Sequence, residues 1–461
     1  MTLLFRTLFF ICVAGTCLLF AQAPSDPSQR ETQPQQQSEV ALIIGDRIGR
    51  QPTFAVPDCI TTQDGDALAS TGALIAEVLW DDLEFEREFR MMARDIYDSV
   101  PPARSLTDIA LADWRSLGAD AVLNCTVTNT GNDQIRVSAR LFDTNTETSA
   151  FGVQYSGALS NARVYAHELS DEIHRHQRGL RGIARTKISF VSDRDSESVL
   201  GLVENRQTKE VYFSDYDGAS VQRVTISRSL NTTPQWSPNA RAIAYTSWRR
   251  GFQDIFVSHI YEGRLASPAN GTDQIHNWLP AWSPDGSLMA FTSNRDGNPE
   301  LYIMAADGSD VRRLTNHPGI DTSPTWSPQG HQVAFTSDRT GSPQIYVVGA
   351  DGTGLRRITF ESYCDRPTWS PAPYNEIAYS SRTGAGHDIK VVDLATNDVR
   401  QLTFGLGTNE SPSYSPNGRH IAFMSTRGAA GTKQIWTIGR DGRGLRRLTN
   451  QGNNEMPSWS Q

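Results

Sequence analysis

The stretch Trp326-Ser327-Pro328 recurs along the second part of the chain, and this repetition decides the fold. Matching stretches are Trp236-Ser237-Pro238, Trp282-Ser283-Pro284, Trp369-Ser370-Pro371, Tyr414-Ser415-Pro416 and the terminal Trp459-Ser460. Successive copies are separated by roughly 45 residues, a period typical of the blades of a β-propeller. The period therefore predicts an all-β ring rather than a helical repeat.

Each repeat contains signals for four short strands. After Trp326 comes the alternating stretch Ala334-Phe335-Thr336-Ser337, followed by a polar turn and the strand-like pair Ile345-Tyr346. The tight turn Asp351-Gly352 then leads into a closing stretch that ends at Ile358-Thr359. Four strands joined by turns make one propeller blade.

The two ends of the repeat region complement each other. Residues 188–194 read as the second strand of a repeat that lacks its Trp strand, and residues 456–460 read as a first strand that lacks the rest. Together they predict a split blade, which brings the ring to six blades and leaves no open sheet edge between the ends. The tryptophans are expected to fill the space between neighbouring blades.

Three regions precede the ring. Residues 1–23 have a signal-peptide pattern, with Arg6, an uncharged apolar run from Leu8 to Phe20 and small residues at Ala21-Gln22-Ala23. Residues 24–39 are rich in Gln and Pro and are predicted to be disordered. Residues 40–182 mix strand-like runs such as Ala41–Ile44 with helical spacing, including a helix predicted over Ser105–Leu117. We expect an α/β domain there and the propeller over residues 183–461.

Charge and cysteine content narrow the function classes. The chain has 51 acidic and 43 basic side chains, a net charge of -8 without a block of one sign, so no nucleic-acid partner is expected. Two of its five cysteines lie in the predicted signal peptide. Cys59 and Cys125 can meet in one sheet, but two separate buried thiols are favoured, and Cys364 is expected to be unpaired.

The chain lacks the common catalytic motifs. It contains no G-x-S-x-G elbow, H-E-x-x-H helix, P-loop or G-x-G-x-x-G fingerprint, which favours a non-enzymatic protein without a cofactor. His167, His174 and His176 lie among acidic residues, so a metal site is one interpretation of this helix. Their spacing does not place two of them at i, i+4 on one helix face, and a solvated face without metal is expected.

The polar connections at one end of the propeller are the candidate binding surface. In a propeller, the connections that enter the first strands and those that join second to third strands surround the same mouth of the channel. A rim of acids, amides and arginines suits a protein partner better than a small apolar ligand, although loops that face water are polar in any case. The candidate partner-binding residues are Asn231, His276, Asn277, Asp321, Asp365, Arg366, Asn409, Glu410, Asn454, Glu455, Arg295 and Arg339.

The order of motifs across nearly the whole mature chain resembles the TolB family of the Tol-Pal system. The resemblance rests on Asp113-Trp114, Gly118-Ala119-Asp120, Arg163, Ala166-His167, Asp171, Gly179, Gly182 and Thr186 ahead of a six-blade ring. It implies a monomeric periplasmic scaffold that binds the lipoprotein Pal through the propeller face and TolA through the N-terminal region. It also implies a role in outer-membrane integrity and cell division, with membranes contacted only through partners.

Two features depart from the family pattern. The tail 24–38 stands where the family has a short strand-like segment, and repeat two has Tyr261-Glu262-Gly263 in place of the Asp-Gly turn. The rival interpretations are a secreted propeller enzyme, for which the rim offers His276 with scattered carboxylates, and a glycan-binding module, for which it offers Trp278 and Tyr363.

Overall fold

The computed structural model of the chain describes residues 50–61, 65–197, 208–428 and 431–461. The predicted signal peptide, the Gln/Pro-rich tail and the predicted strand Ala41–Ile44 lie outside these residues. Among the described helices, none has both the length and the apolar character that crossing a bilayer requires.

The α/β domain is a mixed sheet covered by helices. Its elements are β1 Thr53–Ala55, β2 Ile60–Thr61, α1 Asp66–Glu86, β3 Arg90–Met91, α2 Leu111–Ser116, β4 Ala121–Gly131, β5 Gln134–Asp143, β6 Thr148–Ala158 and α3 Ala162–Arg178. Short 3₁₀ turns occupy Arg94–Ser99 and Leu159–Asn161. The strand order is β3-β1-β4-β5-β6, with β2 beside β4. β1 lies parallel to β3 and β4, whereas β4, β5 and β6 are antiparallel.

Helices α1 and α3 pack against one face of this sheet through apolar residues at helical spacing. Leu79 and Leu83 of α1 and Leu169 and Ile173 of α3 are all fully buried in one cluster with the sheet. Trp114 of α2 lies in a second cluster on the other face. Each helix therefore buries one apolar stripe, as amphipathic helices of globular proteins do.

The predicted helix Ser105–Leu117 is wrong over its first half, since α2 begins at Leu111. The hydroxyl of Ser105 accepts a hydrogen bond from the N–H of Asp108 at 3.1 Å, which forms a turn instead of a helix cap. The carbonyl groups of Ser105 and Leu106 accept hydrogen bonds from the Asn124 amide of β4. Tertiary hydrogen bonds thus hold this segment in a non-helical form.

The expectation of two separate thiols is also wrong, because Cys59 and Cys125 form a disulfide with Cα atoms 4.7 Å apart. The parallel pairing of β2 with β4 sets Ile60 opposite Thr126, which brings the preceding residues of both strands together. Cys364 is buried and free, as expected.

The described remainder forms the predicted six-bladed propeller, closed by a split blade. Blade 1 contains β30 Asn454–Trp459, β7 Lys187–Ser192, β8 Glu210–Asp215 and β9 Gln222–Arg223. Blade 2 contains β10 Asn231–Trp236, β11 Ala242–Ser247, β12 Asp254–His259 and β13 Arg264–Ala266. Blade 3 contains β14 Asn277–Trp282, β15 Leu288–Ser293, β16 Glu300–Ala305 and β17 Arg312–Arg313.

Blade 4 contains β18 Asp321–Trp326, β19 Gln332–Ser337, β20 Gln344–Gly349 and β21 Arg356–Arg357. Blade 5 contains β22 Cys364–Trp369, β23 Glu376–Thr383, β24 Gly386–Asp393 and β25 Val399–Gln401. Blade 6 contains β26 Asn409–Tyr414, β27 His420–Ser425, β28 Gln434–Gly439 and β29 Arg446–Arg447. In each blade the strands pair antiparallel in this order.

The ring closes through strand pairing between its ends. β30 runs antiparallel to β7, with Asn454 opposite Ser192 and Trp459 opposite Ile188. The indole N–H of Trp459 also donates to the hydroxyl of Thr186 at 2.7 Å. The last strand of the chain therefore completes the first blade.

Candidate interaction surface

The inner strands β10, β14, β18, β22, β26 and β30 surround the axis of the ring. Each contains one residue with positive φ directly before a proline, where its pairing register shifts: Thr233-Pro234, Leu279-Pro280, Ser323-Pro324, Arg366-Pro367, Ser411-Pro412 and Met456-Pro457. These bulges line a passage of about 70 Å³. Small-molecule pockets measure about 300 Å³ or more. This passage is therefore smaller than a typical small-molecule pocket, and the surface around the channel mouth is the candidate site.

We call the end of the ring where the inner strands begin the channel face. Connections between second and third strands lie at the same end, since the N–H of Asp338 donates to the carbonyl of Ile320 and that of Asn294 to His276. The two sets of connections are therefore hydrogen-bonded to each other, and the channel face is a continuous rim.

The α/β domain contacts the opposite end of the ring. Asp82 of α1 accepts a hydrogen bond from the Tyr216 hydroxyl at 2.6 Å, in the connection between β8 and β9. Glu86 of α1 pairs with Arg419, which lies between β26 and β27. Both connections join strands at the end away from the channel face, so these domain contacts leave that face uncovered.

His167 and His174 lie in this domain interface, and the expectation of a solvated histidine face is wrong for both, since they are 4% and 0% exposed. His167 Nδ1 is 2.8 Å from Asp82 Oδ2. Burial alone lowers the pKa of His167, but the hydrogen bond and charge of Asp82 outweigh it and raise the pKa. Burial lowers the pKa of His174 to about 4. The described residues contain no group of three or more His, Cys, Asp or Glu placed to hold a metal ion.

The first residue of most inner strands is buried and joins neighbouring blades. The side-chain amide of Asn231 donates to Glu210, and that of Asn277 donates to Asp254 at 3.0 Å. Asn409 and Asn454 make the equivalent bonds to Asp388 and Gln434. Asp321 occupies the same position in blade 4, also fully buried. These five predicted site residues therefore face the blade junctions, and their side chains are not at the surface.

The arginines of the rim brace their own blades. Arg295 lies over the Tyr302 ring at 4.8 Å and donates to Asn277 Oδ1 at 3.0 Å. Arg339 lies over Tyr346 at 5.0 Å and donates to Asp321 Oδ2 at 2.7 Å. Stacking plus a hydrogen bond fixes the connection between second and third strands, which gives these two predicted site residues an internal role in the blade.

Among the second and third residues of the inner strands, accessible charge is found at Asp365, Arg366 and Glu410, which we call the charged arc. Asp365 and Arg366 of blade 5 and Glu410 of blade 6 are half-buried, and His276 is half-buried in the connection that enters blade 3. Asp365 and Glu410 are second residues of their inner strands, as are the uncharged Thr232, Trp278 and Thr322. Among the predicted residues of the inner strands, the first residue of a strand is buried and the second is half-buried, except for Glu455 of blade 1, which is 6% exposed.

Glu455 holds the equivalent position in blade 1 but is buried. It accepts hydrogen bonds from Lys209 and Lys433, the latter at 2.7 Å. Burial alone raises the pKa of Glu455, but the two ammonium groups hold it below its usual value. In blade 6, Oε1 of Glu410 lies 3.0 Å from Nδ1 of His387.

Sequence reasoning missed Lys209, Lys433 and His387. They lie in third strands or in the connections before them. Whether their side chains approach the channel mouth depends on how the third strand is aligned with the inner strands, which the sequence does not reveal. Two aromatic residues are the candidates for glycan binding. The Tyr363 ring is covered by the guanidinium group of Arg382 at 4.8 Å, and Trp278 is half-buried.

Comparison with known proteins gives consistent matches over both parts of the chain. The family model "TolB amino-terminal domain" matches residues 40–150, and "TolB beta propeller domain" matches residues 175–461. A Tol-Pal system protein TolB from Desulfosudis oleivorans is 36% identical over 53% of this chain and 53% of its own length. One from Ruegeria sp. is 34% identical over 62% of this chain and 63% of its own length.

These alignments span roughly half to two thirds of the curated relatives' length. A wider structural match exists to the crystal structure of TolB from Acinetobacter baumannii. It has a TM-score of 0.73 at 27% identity and covers 89% of this chain and 97% of that chain.

Proposed function

The chain belongs to the TolB family, and on that premise we propose that it is a non-enzymatic periplasmic scaffold of the Tol-Pal system. In this proposal it binds Pal through the channel face and TolA through its N-terminal region. Its role is to maintain outer-membrane integrity and to support envelope constriction at division. We propose the boundary between the two domains at residues 182/183, between the end of α3 and the start of β7.

One observation carries the proposal: the accessible charged arc of Asp365, Arg366 and Glu410 lies on the face that the α/β domain leaves uncovered. Charged groups around an interface give specificity and fast association with a protein of complementary charge. The narrow channel supports the same conclusion, because it offers no space to enclose a substrate.

The test removes charge from the arc without changing side-chain size. Asp365→Asn combined with Glu410→Gln is expected to weaken binding of the Pal periplasmic domain by about tenfold or more. A matched control, Glu262→Gln with Asp310→Asn, removes two exposed carboxylates from connections at the opposite end of the ring. Equal affinity for both double variants would refute the channel face as the binding site.

A further inference from the structure

Within the part of the chain that the structure describes, the outer edge of the α/β sheet at β6 is open. β6 is the terminal strand of the sheet and pairs, among the described residues, with β5 alone. It is eleven residues long and carries no charged residue and no proline. Natural proteins usually protect such edges with charges, prolines or short strands, because unpaired N–H and C=O groups attract another strand.

The core-facing side chains of β6 are only partly covered. Val153 and Tyr155 pack against the sheet core but are half-buried, whereas their partners on β5, Ala139 and Val137, are each 1% exposed. A strand added beside β6 would cover Val153 and Tyr155 in the same way that β6 covers Ala139 and Val137 of β5. The edge therefore offers apolar surface as well as backbone hydrogen bonds.

An arginine from the neighbouring strand reaches over this edge. Arg140 stands opposite Gly152 in the β5–β6 register. A Cβ at Gly152 would lie 3.2 Å from Cγ and 3.7 Å from Nε of Arg140, so the arginine stem occupies the space that a side chain would fill. Arg140 and Arg136, on the same face, are exposed and make no ion pair within the described part of the chain.

We propose that β6 binds an extended segment of a partner protein by strand addition, and that this segment carries acidic residues on the face of Arg140. Its apolar residues alternate with the acidic ones and cover Val153 and Tyr155. Neighbouring strands lie about 4.8 Å apart, so a carboxylate opposite Gly152 stands one strand spacing from the Arg140 stem. Strand addition supplies affinity through the main chain, and the charge supplies selectivity.

The test uses two capped ten-residue peptides, one alternating Val and Glu and one alternating Val and Lys. With the mature protein, the Val-Glu peptide is expected to slow hydrogen exchange across residues 148–158, and the Val-Lys peptide to have little effect. Arg140→Glu is expected to reverse this preference, with a change of about fivefold or more for each peptide. Arg140→Gln, which keeps the stem, should weaken the preference without reversing it, because Arg136 remains on the same face.

The control variant is Arg356→Glu, an exposed arginine on the outer strand of blade 4, which should leave both peptides unaffected. Absence of protection by either peptide would overturn the proposal. Equal protection by both peptides would overturn its charge selectivity. Protection of residues 148–158 without peptide, together with a dimer in sedimentation, would show that a second copy occupies the edge and would also overturn it.

Discussion

At the residue scale, one polar side chain at the start of each inner strand decides how two blades meet. In four junctions an asparagine amide donates to a carboxylate or amide of the preceding blade. The junction between blades 3 and 4 instead sets Asp321 toward Glu300, both fully buried. The hydroxyl of Thr315 is within hydrogen-bond reach of both carboxyl groups, and Asp321 Oδ1 has no partner among the described residues.

Replacing this acid by the common amide should stabilise the protein. Burial raises the pKa of Asp321 in spite of the nearby Arg339, so this carboxyl group ionises less readily in the folded chain than in the unfolded chain. Asp321→Asn supplies an N–H for Glu300 and keeps an acceptor for Arg339. The free energy of unfolding in urea at pH 7.5 should rise by about 1 kcal/mol.

The reverse substitution tests the same junction rule. Asn277→Asp, which creates two facing carboxylates between blades 2 and 3, should lower stability at pH 7.5 by about 1 kcal/mol or more. If both substitutions change stability in the same direction, the amide is not what stabilises these junctions.

A buried histidine in the domain interface should make stability depend on pH. His420 stacks on Phe85 with ring centroids 4.7 Å apart, and burial, followed by the charges of Arg419 and Arg87, lowers its pKa to about 3. Between pH 6.5 and 3 the unfolded chain takes up a proton at this residue that the folded chain does not. His420 therefore lowers stability as the pH falls below 6.5.

His420→Phe keeps the stacked ring and removes this proton uptake. The free energy of unfolding of the variant relative to the unsubstituted protein should increase by about 2 kcal/mol between pH 7.5 and pH 5.0. Urea denaturation at the two pH values measures this difference. A difference that stays constant with pH would contradict burial of a neutral His420.

The burial of individual polar side chains could not be predicted from the sequence. The polar character of the rim was visible, yet Asn277 and Asp365 read alike although one is buried and the other is accessible. The distinction is a single step along an inner strand, where successive side chains point to opposite faces. The buried His167 and His174 were missed because helix periodicity does not reveal that a second domain packs on the polar face.

At the scale of elements, the repeated tryptophans connect neighbouring blades. Trp326 is 6% exposed, and its indole N–H donates to the carbonyl of Ala281 in blade 3 at 3.0 Å. Trp326→Ala should lower the free energy of unfolding by about 3–5 kcal/mol, because it opens a large cavity in a tightly packed cluster.

Trp282 provides a matched comparison within the same fold. It is half-buried, and its indole N–H has no partner among the described residues. Trp282→Ala should cost about 1–2 kcal/mol, less than Trp326→Ala. Equal losses in thermal and urea unfolding would contradict the role assigned to burial between blades.

The disulfide joins the short strand β2 to β4 across 66 residues of chain. Replacing both cysteines with serine should lower the free energy of unfolding by about 2–4 kcal/mol, since the unfolded chain gains freedom. A reducing agent should destabilise the natural protein similarly and leave the double variant unchanged. Sensitivity of the double variant to the reductant would assign the effect to another group.

The elements divide into those that the sequence predicts and those that it does not. The propeller strands follow from the alternation in each of the six repeats and from Asp-Gly turns in four of them, so local and global signals agree. The disulfide and the shortened helix α2 depend on β2 and Asn124, whose tertiary contacts have no local sequence signal. The open edge of β6 was equally invisible, because edge position is a property of sheet order.

At the scale of the whole molecule, the channel face and the surface that contacts the α/β domain lie at opposite ends of the propeller. The last strand β30 closes the ring through β7, and the α/β domain binds the end opposite the channel face. The sequence predicted the split blade because both of its fragments lie at recognisable places in the repeat. Which end the α/β domain contacts was not predictable, because α1 contacts turns that resemble one another in every blade.

The most direct test of the scaffold account is calorimetric titration of the mature protein, and of a version starting at Val40, with the Pal periplasmic domain of the same organism. The account predicts micromolar or tighter binding by both proteins, because it assigns the Pal-binding surface to the folded propeller. Binding lost only in the shortened version would move the contact to the N-terminal tail. Absence of binding by either protein would contradict the account.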